Sequence, residues 1–132
     1  MNKRIILNNM IVTSANHLRI YLNNWENYPE LEENANYIKT LISEYANNIY
    51  KEEYNKILEY EIIYSHLIFD YINNFVIEYC KNHNIEFTII NNYIVIDNHI
   101  INPTIGIGNV YHELIKLNRI NKFKSIFKLV RN

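Results

Sequence analysis

The sequence predicts an α+β fold with long central helices, small antiparallel β-hairpins near both ends of the chain, and short helices at the C-terminus. Gly and Pro are absent between Glu30 and Asn102, so no breaker interrupts long helices there. Apolar residues recur at three- and four-residue spacing over much of that stretch, which is the helical period. Isoleucine-rich runs flank an Asn-Asn pair near each end of the chain, which is typical of two strands joined by a tight turn.

The first long helix is predicted from Pro29, because proline at the first helical position loses no hydrogen bond. Acidic side chains in the first turn then favour the positive end of the helix dipole. Its apolar stripe consists of Ile38, Leu41, Ile42, Tyr45 and Ile49. A break is predicted at Asn47 to Lys51.

A second long helix is predicted from about Glu52 to Lys81. Its apolar stripe consists of Tyr54, Ile57, Leu58, Leu67, Ile68, Tyr71, Ile72, Phe75 and Tyr79. The middle of this helix is apolar on several sides, so we expect it to be central and packed on more than one face.

Two hairpins and two short helices complete the prediction. Glu86–Ile90 and Tyr93–Asp97 flank Asn91-Asn92, and residues 98–101 add a short third strand. Residues 4–7 and 10–13 are predicted to form a similar hairpin around Asn8-Asn9, after which Ser14 is predicted to cap a short helix. Beyond Gly106 and Gly108, short helices are predicted at 110–117 and 121–130. The second of these has an apolar side that suits docking onto the core and consists of Phe123, Ile126, Phe127 and Val130.

The composition bounds the class of protein. The 132 residues predict a single domain, 1–132, and 48% apolar against 20% charged residues predicts a folded chain. The 24 Asn, 25 Ile and 12 Tyr have AT-rich codons, which indicates a low-GC genome such as that of a virus, phage or mobile element. The single Cys80 excludes an internal disulfide, and no apolar run is long enough to span a bilayer. We therefore expect a cytoplasmic protein, in the host cell if it is viral, with no membrane association.

Charge is unevenly distributed along the chain. Residues 26–61 hold nine Glu and three Lys, whereas residues 114–132 hold six basic residues and no acid. These segments are read either as solvated helix faces or as binding surfaces for a basic partner and for nucleic acid. The candidate binding residues are Glu30, Glu32, Glu33, Glu44, Lys122, Lys124, Lys128 and Arg131.

No complete catalytic or metal-binding motif is present. His112-Glu113 begins like a zinc-protease helix, but Lys116 stands where the second His ligand belongs. Cys80 and His83 lie one turn apart at the end of a helix where the dipole disfavours a thiolate, so Cys80 is interpreted as a core residue. The sequence predicts no cofactor and no metal ion. Tyrosines on the helical stripes, including Tyr45, are interpreted as core rather than as stacking platforms for bases.

The stretch from Ser65 to Thr104, with Phe87–Asp97 and Asn102-Pro103-Thr104, resembles the strand region of transglutaminase-like and papain-like cysteine enzymes. In that family a helix led by the nucleophile precedes strands that bear His and an acidic or amide partner. Here Ser65 replaces the nucleophilic Cys and lies in mid-helix, and no His begins the Tyr93 strand. The resemblance implies a degenerate enzyme in which Ser65, His83 and Asp97 are the residues to test.

The absence of a catalytic constellation favours a small non-enzymatic interaction or inhibitor protein that binds a host or phage macromolecule, such as a defence or regulatory factor. Nucleic-acid binding through the basic C-terminal region is the alternative, with the degenerate enzyme as a third. The predicted hairpin edges lack the charges and prolines that block edge pairing, so the sequence also allows a homodimer.

Overall fold

The computed structural model describes residues 3–50 and 56–131, with side chains described except at positions 3, 4, 7, 50 and 127–131. The chain is mostly helical with one small sheet, which confirms the α+β class and the long central helices. Its elements are α1 (Lys3–Leu18), α2 (Glu32–Tyr50), α3 (Ile57–Asn82), β1 (Thr88–Ile90), β2 (Tyr93–Ile96), β3 (His99–Ile101) and α4 (Ile107–Arg131). Short 3₁₀ turns at Arg19–Leu22, Trp25–Asn27 and Pro29–Leu31 connect α1 to α2, and another at Pro103–Ile105 precedes α4.

The N-terminal hairpin prediction is wrong, because residues 4–13 lie inside α1. The side chains of Ile11, Ser14, Leu18 and Tyr21 are buried and follow one another at three- and four-residue spacing. This helical face packs on α2 and α3, while Asn8 and Asn9 are exposed. Ser14 is therefore a mid-helix residue rather than the predicted cap.

Helix α2 follows the sequence closely. Pro29 begins the 3₁₀ turn that leads into it, and Glu32 and Glu33 occupy its first turn. The predicted stripe is confirmed as the buried face: Ile38, Leu41, Ile42, Tyr45 and Ile49 are all buried. The helix continues to Tyr50, so the predicted break begins no earlier than the next residue, Lys51, which lies outside the described residues.

Helix α3 is central, as predicted, and contacts α1, α2, α4 and β2. Its buried positions recur mostly every fourth residue: Ile57, Tyr64, Ile68, Ile72, Val76 and Cys80. The predicted stripe is wrong at Leu58 and Leu67, which are exposed, and the mid-helix residues Ile62 and Ile63 are exposed as well. Tyr54 lies outside the described residues. The buried face of α3 is therefore narrower than the distribution of apolar residues around the helix suggests.

The C-terminal hairpin and the third strand are confirmed. The sheet has the order β1-β2-β3, with Ile90 opposite Tyr93 and Ile96 opposite His99. Both connections are two-residue turns with positive φ at each position: 52° and 68° at Asn91-Asn92, then 50° and 68° at Asp97-Asn98. Asn and Asp tolerate this left-handed conformation better than other non-Gly residues, which is why these pairs form turns.

Helix α4 is one continuous helix, so the prediction of two short C-terminal helices is wrong. The expected break falls at Asn118, which is instead buried within the helix, with its amide nitrogen 3.4 Å from Nδ1 of His83. At the helix start, a Cβ on Gly108 would lie 2.0 Å from the carbonyl carbon of Asn24, so only glycine fits there. The predicted docking is also wrong at Phe123 and Ile126, because both side chains are exposed, and the side chains of Phe127 and Val130 lie outside the described set.

Candidate functional site

The three residues of the cysteine-enzyme resemblance have separate partners. The Oγ atom of Ser65 lies 2.7 Å from the hydroxyl of Tyr21, and Asp97 is paired with Lys124 at 2.7 Å. His83, at the C-terminal cap of α3, lies beside Asn118 instead. Among the described side chains, no hydrogen bond or ion pair joins Ser65, His83 and Asp97, so a nucleophile relay has no basis there.

Cys80 is fully buried, and burial raises the pKa of its thiol to about 11. A thiol in this state is a small core group and not a nucleophile at neutral pH. His112 has its Nδ1 atom 2.5 Å from the hydroxyl of Tyr28. Over residues 3–50 and 56–131, no three His, Cys, Asp or Glu side chains are close enough to hold a metal ion.

The predicted acidic binding residues lie around the start of α2. Glu30, Glu32 and Glu33 are exposed in the last 3₁₀ turn and the first helical turn. Glu44 is also exposed and follows Glu33 by eleven residues, which is about three helical turns, so both lie on one side of α2. Lys39 places its Nζ atom 4.2 Å from the centre of the Trp25 ring, and this cation–π contact adds one positive charge to the region.

The predicted basic residues belong to the second half of α4. Lys122 and Lys124 are exposed, and the side chains of Lys128 and Arg131 lie outside the described set. The Lys124 ammonium is engaged by Asp97, and it holds the pKa of that carboxyl below its usual value. Part of the basic charge is therefore neutralised by the turn between β2 and β3.

A surface that sequence reasoning missed runs between α1 and α3. One depression of about 530 Å³ is lined by Ile6, Asn9, Met10, Thr13, Ser14, Ile57 and Leu58. A second of about 330 Å³ is lined by His17, Leu18, Ile20, Tyr21, Glu61, Ile62, Ser65 and His66. We call their combined surface the α1–α3 groove.

The signal for this groove is present in the sequence. Ile6, Met10, Thr13, His17 and Ile20 alternate four- and three-residue spacing, which places them along one side of a helix. The hairpin interpretation of residues 4–13 concealed this pattern. On α3, Leu58 and Ile62 are one turn apart and lie on the same side, but Leu58 was predicted to lie in the core.

A polar cluster links the two parts of the groove. The hydroxyl of Ser14 donates to Oε2 of Glu61 at 3.1 Å, and Nδ1 of His17 lies 3.1 Å from Oε1 of the same carboxylate. Because the carboxylate stands between the hydroxyl and the imidazole, the order differs from that of a catalytic triad, in which the imidazole is central. The cluster joins α1 to α3 and places one carboxylate in a surface otherwise lined by aliphatic side chains and by polar residues such as Asn9, Thr13, Ser65 and His66.

Tyrosines on the helical stripes lie in the core or at its edge, as interpreted from the sequence. Tyr45 is buried, and Tyr71 and Tyr79 are half-buried. Burial is the main cause that raises the pKa of each of these hydroxyls. Tyr71 also stacks on Tyr37, with 4.4 Å between ring centres, and accepts a hydrogen bond from Asn34.

Across the described part of the chain, no helix combines the length and the hydropathy that a transmembrane segment requires. No protein-family model matches the sequence, and comparison with curated proteins and with solved structures finds no significant similarity.

Proposed function

We propose that this protein is a non-enzymatic interaction protein that occupies a host macromolecule, and that its α1–α3 groove receives an amphipathic helix of a partner protein. One observation carries the proposal: large aliphatic side chains line this groove and face solvent. Leu58 is 71% exposed and Ile62 is 59% exposed, and Ile6 and Met10 line the α1 side. Contiguous apolar surface of this kind usually marks an interaction site in soluble proteins.

The arrangement of the helices supports a helical partner. Helices α1, α2 and α3 contact one another pairwise, so they already form a three-helix bundle. The groove between two packed helices accepts the side-chain ridge of a further helix. Recognition of an amphipathic helix in an apolar groove is a recurring mode of protein binding, and each Leu or Ile side chain fully buried contributes about 1.5–3 kcal/mol.

Other features support binding to a macromolecule of the host. The acidic residues Glu30, Glu32, Glu33 and Glu44 are exposed and separate from the groove, so they are suited to steering a basic partner. The amide- and isoleucine-rich composition supports origin in a low-GC virus, phage or mobile element.

A paired capture experiment tests the proposal. Wild-type protein and the Leu58→Gln/Ile62→Gln variant are immobilised and exposed to extract of the host cell. Gln retains helix propensity, and both positions are exposed, so the fold is maintained. The matched control is Ile63→Gln/Leu67→Gln, which changes the same residue types at the same spacing on α3 outside the groove.

We expect the wild type and the control variant to retain a host protein that the groove variant does not retain. Retention should persist at high salt, because apolar burial is not screened. Equal retention by the groove variant, or retention by none of the three proteins, contradicts the proposed site. If all three immobilised proteins lost the host protein at high salt, the contact would be assigned to the acidic residues of α2 instead of the groove.

The basic end of α4 supports nucleic-acid binding as a second candidate. Arg119 and Lys122 are exposed, and residues 114–132 contain no acid. Filter binding of a labelled oligonucleotide at low salt tests it, with Lys122→Glu expected to reduce retention by removing a phosphate contact. No retention at low salt eliminates this candidate.

A further inference from the structure

One side of the second half of α4 combines cations with large apolar side chains and faces solvent. Arg119, Lys122, Phe123 and Ile126 follow one another at the spacing i, i+3, i+4 and i+7, so they share one side of the helix. All four side chains are exposed, and Phe123 and Ile126 are 69% and 62% exposed. We call these four residues the outer α4 face.

The contacts of this part of α4 with its own chain lie on another side of the helix. Asn121 donates to the carbonyl of Asn84, and Lys124 binds Asp97 at 2.7 Å. At about 100° per residue, Lys124 and Ile126 are about 200° apart around the helix axis. The outer α4 face is therefore directed away from the strands that the helix contacts.

A depression beside the helix leaves this face exposed. Phe123 borders the depression together with Ile85 and Ile96 of the same chain, yet most of its side chain remains in contact with solvent. Ile126 lies outside the lining. The exposed acid Glu86 belongs to the lining of the depression and not to the outer α4 face.

The charge along this helix end is positive. Residues 114–132 contain six cations and no acid. Among the described side chains, Asp97 is paired with Lys124, whereas no ion pair involves Arg119 or Lys122. The outer α4 face thus presents two cations for an anionic partner.

An anionic bilayer surface matches this combination of side chains. Its headgroups attract Lys and Arg, and the boundary between headgroups and acyl chains accepts Phe and Ile from the same side of a helix. Nucleic acid would engage the same cations through its phosphates but offers no apolar phase for Ile126. The expectation of no membrane association rests on the lack of a spanning segment, which a helix lying on a bilayer surface does not need.

We propose that the protein binds anionic lipid bilayers through the outer α4 face, with the second half of α4 lying in the plane of the membrane surface. The ammonium and guanidinium groups of Lys122 and Arg119 contact lipid phosphates or carboxylates, and their aliphatic stems extend past the apolar side chains. Phe123 and Ile126 enter the boundary of the acyl chains. This surface is separate from the α1–α3 groove, so the inference does not depend on the proposed function.

Vesicle flotation of the full chain tests the proposal. The vesicles consist of phosphatidylcholine alone or of phosphatidylcholine with an equal amount of phosphatidylserine. Wild type is expected to float with the anionic vesicles and much less with the neutral ones, because each Lys or Arg near an anionic surface strengthens binding about fivefold. Equal flotation with both kinds of vesicle contradicts the role of the cations.

Two variants separate the contribution of charge from that of apolar contact. Phe123→Gln/Ile126→Gln leaves the net charge unchanged and is expected to weaken binding to the anionic vesicles at least about tenfold. Lys122→Gln removes one cation and should weaken this binding about fivefold. The matched control is Ile63→Gln/Leu67→Gln, which replaces two exposed apolar side chains of α3 and should bind as wild type does. Circular dichroism confirms that each variant keeps its helix content.

The remaining results each decide the matter. Wild type that stays unbound to anionic vesicles overturns the inference, and so does Phe123→Gln/Ile126→Gln binding as tightly as wild type. A control that loses as much binding as Phe123→Gln/Ile126→Gln also contradicts the assigned face. If filter binding retains an oligonucleotide while no protein floats, the face is assigned to nucleic acid instead. None of these results alters capture of a host protein by the groove, so failure of this inference is distinguishable from failure of the proposed function.

Discussion

The carboxylate of Glu61 on α3 accepts a hydrogen bond from the hydroxyl of Ser14 on α1, across 47 positions of sequence. Ser14 is buried and Glu61 has a side chain only 17% exposed, so the bond is largely shielded from water. It holds together the two helices that form the α1–α3 groove.

Removing the Glu61 side chain should destabilise the fold. Glu61→Ala leaves the buried Ser14 hydroxyl without its acceptor, so the free energy of unfolding should fall by about 2 kcal/mol in urea denaturation. A double-mutant cycle with Ser14→Ala should give a coupling energy of about 1.5 kcal/mol. Glu59→Ala is the control, because Glu59 is exposed two residues earlier on the same helix. If Glu61→Ala and Glu59→Ala lowered the free energy of unfolding equally, the structural role of Glu61 would be contradicted.

Alkaline pH should destabilise the protein. Burial raises the pKa of Cys80 from about 9 to about 11, and it raises the pKa of Tyr45 as well. The folded state then keeps protons that the unfolded state releases, so the thiol's contribution is complete below about pH 9 and is lost as pH rises toward about 11. Urea denaturation at several pH values should show the free energy of unfolding falling over this interval.

The Cys80→Ala variant separates the thiol from the tyrosines in this alkaline response. Its free energy of unfolding should decline less steeply between pH 9 and pH 11 than that of wild type, because one of the raised pKa values is gone. An identical slope in both proteins would show that Cys80 ionises as easily in the folded state as in the unfolded state.

The stability of the protein should depend strongly on which residue occupies position 92, in the turn between β1 and β2. Asn92 has a φ of 68°, which β-branched residues adopt only with strain, so Asn92→Val should cost about 1–2 kcal/mol. Asn92→Gly should be tolerated, because glycine accepts positive φ. Asn74→Val, at an exposed helical position, serves as the control and should cost much less. Thermal denaturation of the three variants measures the difference.

The same dipeptide explains where sequence reasoning succeeded and failed. Asn91-Asn92 forms the predicted turn, whereas Asn8-Asn9 lies on the exposed side of α1. The local sequences are alike: each pair has isoleucine-rich runs on both sides. The outcome at the N-terminus is decided by Ile11 and Leu18, whose helical spacing creates a face that packs on distant helices. Such long-range packing is not visible within a ten-residue window.

The α1–α3 groove was missed for the same reason. A prediction of strands at residues 4–13 places Ile6 and Met10 in a hairpin and gives them no relation to Leu58. The residues of α2, by contrast, were assigned correctly, because their apolar stripe and their acidic first turn are both local features. Asn118, at the expected break in α4, is buried and contacts His83, 35 positions away, which local reasoning does not reveal either.

Site-specific photocrosslinking tests the central claim most directly. A photoreactive amino acid replaces Leu58 in the groove or Leu67 on another side of α3, and the protein is irradiated in extract of the host cell. The account predicts an adduct with a helical segment of a partner from position 58 and none from position 67. Adducts of equal yield from both positions, or adducts from position 67 alone, would contradict the claim that the α1–α3 groove is the binding surface.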